Sequence, residues 1–275
     1  MDTEAQVARH YSHGRLEQAI LEALRQSGKN VDALSASDLA GVDEFHLGWL
    51  PATVELAADL GLSPGLEVLD VGSGIGGPAR YFAEAHGCKV VGIDLTSEFV
   101  EVANAITERC RLDALASFQQ ASALAVPFPS ARFDVATLLH VGMNIENKAA
   151  LFAEVRRVLK PGGKFAIYDI MRMDGLELPY PMPWAESLAT SFVETPDTYR
   201  QLLKAQGFVI EKERNRRDQS IELGRAMRAH AALHGTPPLG LHVLMGPSTP
   251  ERLGNVMSTL ERGSIAPIEI IARAI

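Results

Sequence analysis

From residue 66 onward the chain alternates short apolar runs with amphipathic stretches, and this alternation limits the folds open to it. "LEVLDV" (66–71), "KVVGID" (89–94), "SFQQA" (117–121), "FDVATLL" (133–139) and "KFAIYDI" (164–170) read as strands. Runs so nearly apolar suit strands covered on both faces. Between them lie the helices "GPARYFAEAHG", "SEFVEVANAITERCRL" (97–112, with Thr96 placed as its N-cap) and "ENKAALFAEVRRVLK" (146–160), the last closed by Pro161-Gly162-Gly163. The helix "PDTYRQLLKAQG" and the strand "FVIEKE" (208–213) follow. Helical text at 218–234, a helix with Ser248 and Glu251 in capping-box spacing, and a last strand "IEIIARAI" complete the chain. Repeated β-α-β units with right-handed crossovers give an α/β, doubly wound parallel sheet. Upstream, "RLEQAILEALRQSG" places Leu16, Ile20, Leu21 and Leu24 on one stripe, and "LPATVELAADLG" (50–61) is a second amphipathic helix. The expected organisation is a helical lid over 1–60 and a sheet domain over 61–275, with cap insertions near 172–195 and 218–262. A length of 275 residues suits one domain with such additions.

In sheets of this kind ligands bind beyond the C-terminal strand ends, where the strand order reverses. "VLDVGSGIGG" (68–77) carries the first strand into a run of glycines, which let the backbone bend sharply and approach a ligand. Two spacings overlap there. Gly72-x-Gly74-x-x-Gly77 is that of a dinucleotide turn, and Asp70-x-Gly72-x-Gly74-x-Gly76 that of an S-adenosylmethionine (SAM) turn. A nicotinamide-binding strand usually enters its glycines with apolar residues, so Asp70 favours the second. Asp94 closes the next strand, where a carboxylate can accept bonds from two ribose hydroxyls of either ligand.

With "VVGIDLT" and "FDVATLLHVGMNIENKAALFAEVRRVLKPGGKFAIYDI", the glycine turn resembles class I SAM-dependent methyltransferases over about residues 46–211. "DEFHLGWLPAT" (43–53), "GGPARY" (76–81), "HVGMNIENK" (140–148) and "TPDTYRQLLKAQGF" (195–208) resemble bacterial small-molecule enzymes akin to the sarcosine/dimethylglycine and phosphoethanolamine N-methyltransferases. The resemblance implies a Rossmann-like seven-stranded sheet ordered 3-2-1-4-5-7-6, with the last strand antiparallel. It implies SAM as cofactor and S-adenosylhomocysteine as product. Backbone at Gly72, Ser73 and Gly74 would meet the methionine part, with Asp70 near its amino acid end, Asp94 on the ribose and Leu95 on an adenine face. In "ASALAVPF" (121–128) the family carries an acid that holds the adenine amino group, whereas this chain has Ser122 followed by Ala123. A hydroxyl there accepts that bond more weakly.

For the acceptor, His140 follows the fourth strand, beside the expected methyl group. It can orient the acceptor, take its proton with a side chain that ordinarily titrates near neutrality, or touch the cofactor. Asn144 either points into the same cavity or caps the helix that begins near Glu146. Tyr11 and His46, with Trp49, are expected on the N-terminal cover. Tyr180 and Trp184 of "LPYPMPWAES" (178–187) are expected in a substrate-binding insertion. Met143, Met171 and Met173 either line an apolar pocket or fill gaps.

Charge and composition narrow the partners. A net charge of −8 disfavours nucleic acid, and "KERNRR" (212–217) reads as a solvated strand end. "HVGMN" occupies the place where adenine- and cytosine-methylating relatives carry an Asn/Asp-Pro-Pro-aromatic loop. No apolar run suits a membrane span, and the N-terminus is polar. Cys88 and Cys110 lack metal-ligand spacing, so no metal is expected, and a reducing cytoplasm fits. The expected partner is a small-molecule acceptor, with the chain itself a monomer or homodimer.

Overall fold

In the computed structural model, which describes residues 3–11 and 14–275, the apolar runs assemble into one sheet. Its strands are β1 (Glu67–Val71), β2 (Lys89–Asp94), β3 (Ala116–Gln120), β4 (Phe133–Leu139), β5 (Leu159–Arg172), β6 (Phe208–Asn215) and β7 (Ile265–Ala274). They stand in the order β3-β2-β1-β4-β5-β7-β6. The first five pair parallel, and β7 runs antiparallel to both its neighbours. After β1 the chain builds outward through β2 and β3, then returns to the other side of β1 as β4. The crevice created by that reversal lies where Asp70 and the glycine turn emerge.

Helices α1 (Thr3–Tyr11), α2 (Leu16–Gln26), α3 (Ala36–Asp43) and α4 (Trp49–Leu60) precede the sheet. Helices α5 (Gly77–His86), α6 (Ser97–Arg109), α7 (Lys148–Val158) and α8 (Pro196–Ala205) connect its strands. Helices α9 (Arg217–His234), α10 (His242–Met245) and α11 (Thr249–Arg262) lie between β6 and β7. Alternate residues of a strand face opposite layers. Thus Phe165 and Ile167 pack with Phe152 of α7 and Tyr199 of α8, while Ala166 and Tyr168 pack with Leu56 of α4 and Phe82 of α5. The Phe152 and Phe165 rings meet edge to face at 5.6 Å. Cutting the fully buried Phe152 to alanine would cost about 3–5 kcal/mol.

Helix α4 therefore belongs to the sheet layer rather than to a separable N-terminal cover, because Leu56 and Ala57 are buried in that layer. Only α1 to α3 stand outside it. The predicted stripe of α2 is buried against Phe99, Val102 and Ile106 of α6 and Leu244 of α10. The end of α3 is fixed by a buried ion pair. Arg80 Nη2 donates to Asp43 Oδ2 at 2.8 Å and its Nη1 to Thr107 Oγ1 at 3.1 Å. A Cβ at Gly77 would fall 2.2 Å from the Asp43 carbonyl oxygen, so this close approach of α3 to the turn needs glycine.

Three local expectations are corrected. Asn147, not Asn144, caps α7, accepting from the Ala150 amide at 3.0 Å. Pro161-Gly162-Gly163 does not end a helix; it lies within β5, which pairs from Leu159 onward, with a register shift between Phe133 and Val135. Ser248 stands at the start of α11 without a capping box, its hydroxyl donating to the Met245 carbonyl and accepting from Arg252 Nε.

Candidate active site

A cavity of about 410 Å³ opens at the C-terminal ends of β1, β2 and β4. Of the residues singled out from sequence, Asp70, Gly72, Ser73, Gly74, Asp94, Leu95, Ala123, His140, Tyr11, His46, Asn144 and Trp184 all line it. Ser122 and Tyr180 do not. Tyr180 packs beside Trp184 in the cluster under the post-β5 loop, and Ser122 is engaged elsewhere, as described below.

Two carboxylates, Asp70 and Asp94, flank the glycine turn. Asp70, at the end of β1, accepts from Thr137 Oγ1 of β4 at 2.7 Å through one oxygen. Its other oxygen is buried without a partner, as is Ser73 Oγ. Burial pushes the Asp70 carboxyl up to about 6, against the opposing pull of the Thr137 bond. Gly74 adopts φ +54°, and a Cβ there would meet nothing within 4 Å, so the turn presents bare backbone to the cavity. Its amide donates to Asp94 Oδ2 at 2.9 Å, while Asp94 Oδ1 accepts from the Thr96 amide at 2.9 Å. Asp94 thus joins the β1 turn to the β2 turn. Burial raises its carboxyl above the ordinary range, and these amide bonds oppose the shift. Each oxygen retains acceptor capacity beyond one amide.

His140 sits at φ +55°, a left-handed conformation uncommon for a residue with a side chain. Its Nδ1–H donates to the Tyr168 carbonyl at 3.0 Å, and its Nε2 accepts from the Leu47 amide at 3.2 Å. That pair of bonds fixes one neutral tautomer. Burial first, and the neighbouring His46 second, push its pKa down to about 3. The His46 ring lies 5.8 Å from the His140 ring. Its Nε2 lies 2.7 Å from Glu44 Oε2 and 3.0 Å from Thr53 Oγ1, and its Nδ1 lies 3.2 Å from the Leu47 carbonyl oxygen. Thr53 donates in turn to Glu44 at 2.6 Å. Glu44 and Thr53 escaped the sequence reading, although "EFH" places an acid two residues before His46.

The roof comes from two segments. Tyr11 donates to Asn144 Oδ1 at 3.2 Å and packs on Phe45 and Phe99; burial, then the nearby Asp94, raises its hydroxyl pKa. Asn144 Nδ2 donates to the Trp184 carbonyl at 2.8 Å, and Trp184 Nε1 donates to Ser191 Oγ at 2.9 Å. His10 Nε2–H donates to the Pro183 carbonyl at 3.0 Å. Glu4 also lines the cavity and accepts from Ser122 Oγ. Nothing local in the sequence marks Glu4, which meets its partner from 118 positions away. Among the described residues no group of His, Cys, Asp and Glu could hold a metal ion.

A family profile described as a methyltransferase domain matches residues 69–167, the stretch from β1 through β5 that forms the cavity floor. The chain carries a methyltransferase domain. Its sheet order, with β7 antiparallel, is that of the class I methyltransferase fold. The chain is 33% identical over 182 residues to phosphoethanolamine N-methyltransferase 1 of Zea mays, covering 64% of this chain and 34% of that protein. It is 29% identical over 210 residues to an O-methyltransferase of Pyrenophora dematioidea, covering 70% and 79%. The chain spans about a third of the length of the first curated relatives it matches. Among solved structures the cyclase SpnF superposes with a TM-score of 0.72 at 20% identity, over 99% of this chain and 97% of that one. That likeness speaks for the fold alone.

Proposed function

We propose that the protein binds SAM and transfers its methyl group to a small, largely apolar acceptor that carries no phosphate. When bound, SAM supplies a methyl group already activated on a sulfonium. The described residues fit it: the unpartnered oxygen of Asp70 suits the ammonium, Asp94 the ribose hydroxyls, and Leu95, Phe99 and Ala123 a flat base. What remains for the chain is to align the acceptor and exclude water, and positioning of that kind can supply about 7–11 kcal/mol of a barrier. His140 serves as a fixed neutral wall, since both its nitrogens are committed. A proton-accepting role would require Leu47 to release Nε2.

One observation carries the acceptor class. Besides Asp43, which Arg80 pairs, the cavity presents Glu4, Asp70, Asp94 and Glu146, and no Lys or Arg among the described residues that line it. Two like charges 4 Å apart repel by about 4 kcal/mol in the effective dielectric of a protein surface. A phosphate would meet that repulsion with no Lys or Arg side chain on the lining to offset it. Leu47, Trp49, Leu139, Met143, Ile170, Leu244 and Val256 give the other walls an apolar character, and Trp49 Nε1 is buried without a partner, available to an acceptor oxygen. Incubation with SAM and a panel of neutral phenols, amines and alcohols, beside phosphorylated amines and isoprenoid diphosphates, tests this through release of S-adenosylhomocysteine. Turnover confined to the phosphate-free set is expected; faster turnover of the phosphorylated set would refute the acceptor assignment.

A second reading takes its support from SpnF, a cyclase that shares this fold along nearly its whole length. Ring closure needs a shaped, dry cavity more than a free base, and the commitment of both His140 nitrogens agrees with that. Mass spectrometry separates the two: methyl transfer adds a methyl group and consumes SAM, whereas cyclisation leaves the mass unchanged. The absence of any described helix long and apolar enough to cross a membrane, and the two free cysteines, support action in a reducing cytoplasm.

A further inference from the structure

We propose that Glu4, carried on α1, is the acceptor that reads the 6-amino group of the cofactor's adenine, so that the N-terminal helix forms part of the cofactor site. This rests on the SAM reading above and adds a residue that the methyltransferase domain at 69–167 does not contain.

The sheet order sets out the cavity floor as a row. Asp70 and the glycine turn end β1, Asp94 ends β2, and Ala121 to Ala123 follow β3. Neighbouring strands lie about 4.8 Å apart. A long ligand that starts at the unpartnered oxygen of Asp70 and passes Asp94 brings its far group to the β3 end. There Leu95, Phe99, Ala121 and Ala123 offer apolar surface, which suits the faces of a flat base but gives its exocyclic amine nothing to bond. Ser122 does not meet that need. It is absent from the cavity lining, its Oγ accepts from the Leu124 amide at 3.0 Å, and its proton goes to Glu4 Oε1. The hydroxyl is therefore an anchor that holds the Glu4 carboxylate at the β3 end. A carboxylate has about four acceptor positions, so the Ser122 bond leaves capacity for a donor in the cavity. The helix is fixed at its other end by Tyr11 on Asn144 and His10 on the Pro183 carbonyl.

Two ligands that differ only at the purine 6-position test the proposal: S-adenosylhomocysteine, which has an amine there, and S-inosylhomocysteine, which has a carbonyl. A carboxylate accepts from the first and repels the second. Calorimetry on the full chain should show the adenosyl ligand preferred by about tenfold or more. In Glu4→Gln the side-chain amide can donate to the carbonyl, so the preference should shrink to within about threefold. Ser122→Ala, which frees the anchor, should weaken the adenosyl ligand selectively, with an unchanged affinity for the inosyl ligand as the control for folding. An undiminished preference in Glu4→Gln, or an equal loss of both ligands, would overturn the role of Glu4 while leaving the SAM reading intact. Failure of the unaltered protein to bind either ligand would sink both.

Discussion

Replacing Asp70 by asparagine isolates the charge that the glycine turn offers to a cofactor. The substitution keeps the size and the oxygen that accepts from Thr137 at 2.7 Å, and removes only the charge whose second oxygen has no partner in the protein. If that oxygen takes the cofactor ammonium, the loss is one charge-assisted bond, about 1.5–3 kcal/mol, or about 10- to 150-fold in affinity. The carboxyl titrates at about 6, raised first by burial and further by Glu44 and Asp94, and lowered by the Thr137 bond and by His46. A raised carboxyl binds its proton more tightly folded than unfolded. Its ionisation therefore costs the empty protein stability as pH rises from about 4 to about 6, and Asp70→Asn should remove that slope. Cofactor binding runs the other way. At pH 5 only about a tenth of such a carboxyl is ionised, so affinity should be about tenfold below its value at pH 8. Calorimetry with S-adenosylhomocysteine between pH 5 and 8 should give an affinity that rises with pH for the native protein and stays flat for Asp70→Asn, the two converging in acid. Equal affinities at pH 8, or the same pH dependence in both, would refute the reasoning.

Asp94→Ala should weaken cofactor binding at least tenfold and also lower the thermal midpoint of the empty protein by a few degrees, because two amide bonds of about 1 kcal/mol each are lost; an unmoved midpoint would contradict the observed turn. Gly74→Val should abolish binding, since a branched side chain would sit at φ +54° facing the cavity; calorimetry detects it. The His140 ring should remain neutral at pH 5 in an NMR titration, its lowered pKa stabilising the fold above about 6.5 and losing that contribution as pH falls toward about 3. A midpoint near neutrality would restore it as a free base. Cofactor should slow proteolysis within residues 1–43, and equal cleavage rates with and without it would argue against a cover that closes on the ligand.

The legible parts of this molecule were those with a local period. Strand runs such as "FDVATLL" and the stripe of α2 announce which face is buried, and Asp70 with its glycines marks the floor of the cavity within one turn of chain. The turn text "LKPGGK" misled, because proline and glycine signal a stop, whereas here they fall at a register shift from which β5 resumes pairing with β4 at Lys164. Asn144 and Asn147 are equivalent caps by composition, and only the backbone decides between them. The state of His140 depends on Tyr168 and Leu47, neither of them near it in sequence, so its ordinary pKa was the only value the sequence could suggest. The Glu4 contact with Ser122 is a matter of chain path alone.

That single helix at the N-terminus touches the β3 end through Glu4 and the acceptor side through Tyr11 and His10. Both ends of the one cavity consequently lie under the same helix. If both ligands must pass α1, a single displacement of that helix would admit them together. A turnover cycle built this way is gated once per round by a common opening step, and its products leave through the same movement that admits the next pair. Tightening the helix to improve grip on the donor would then slow release at the acceptor end as well.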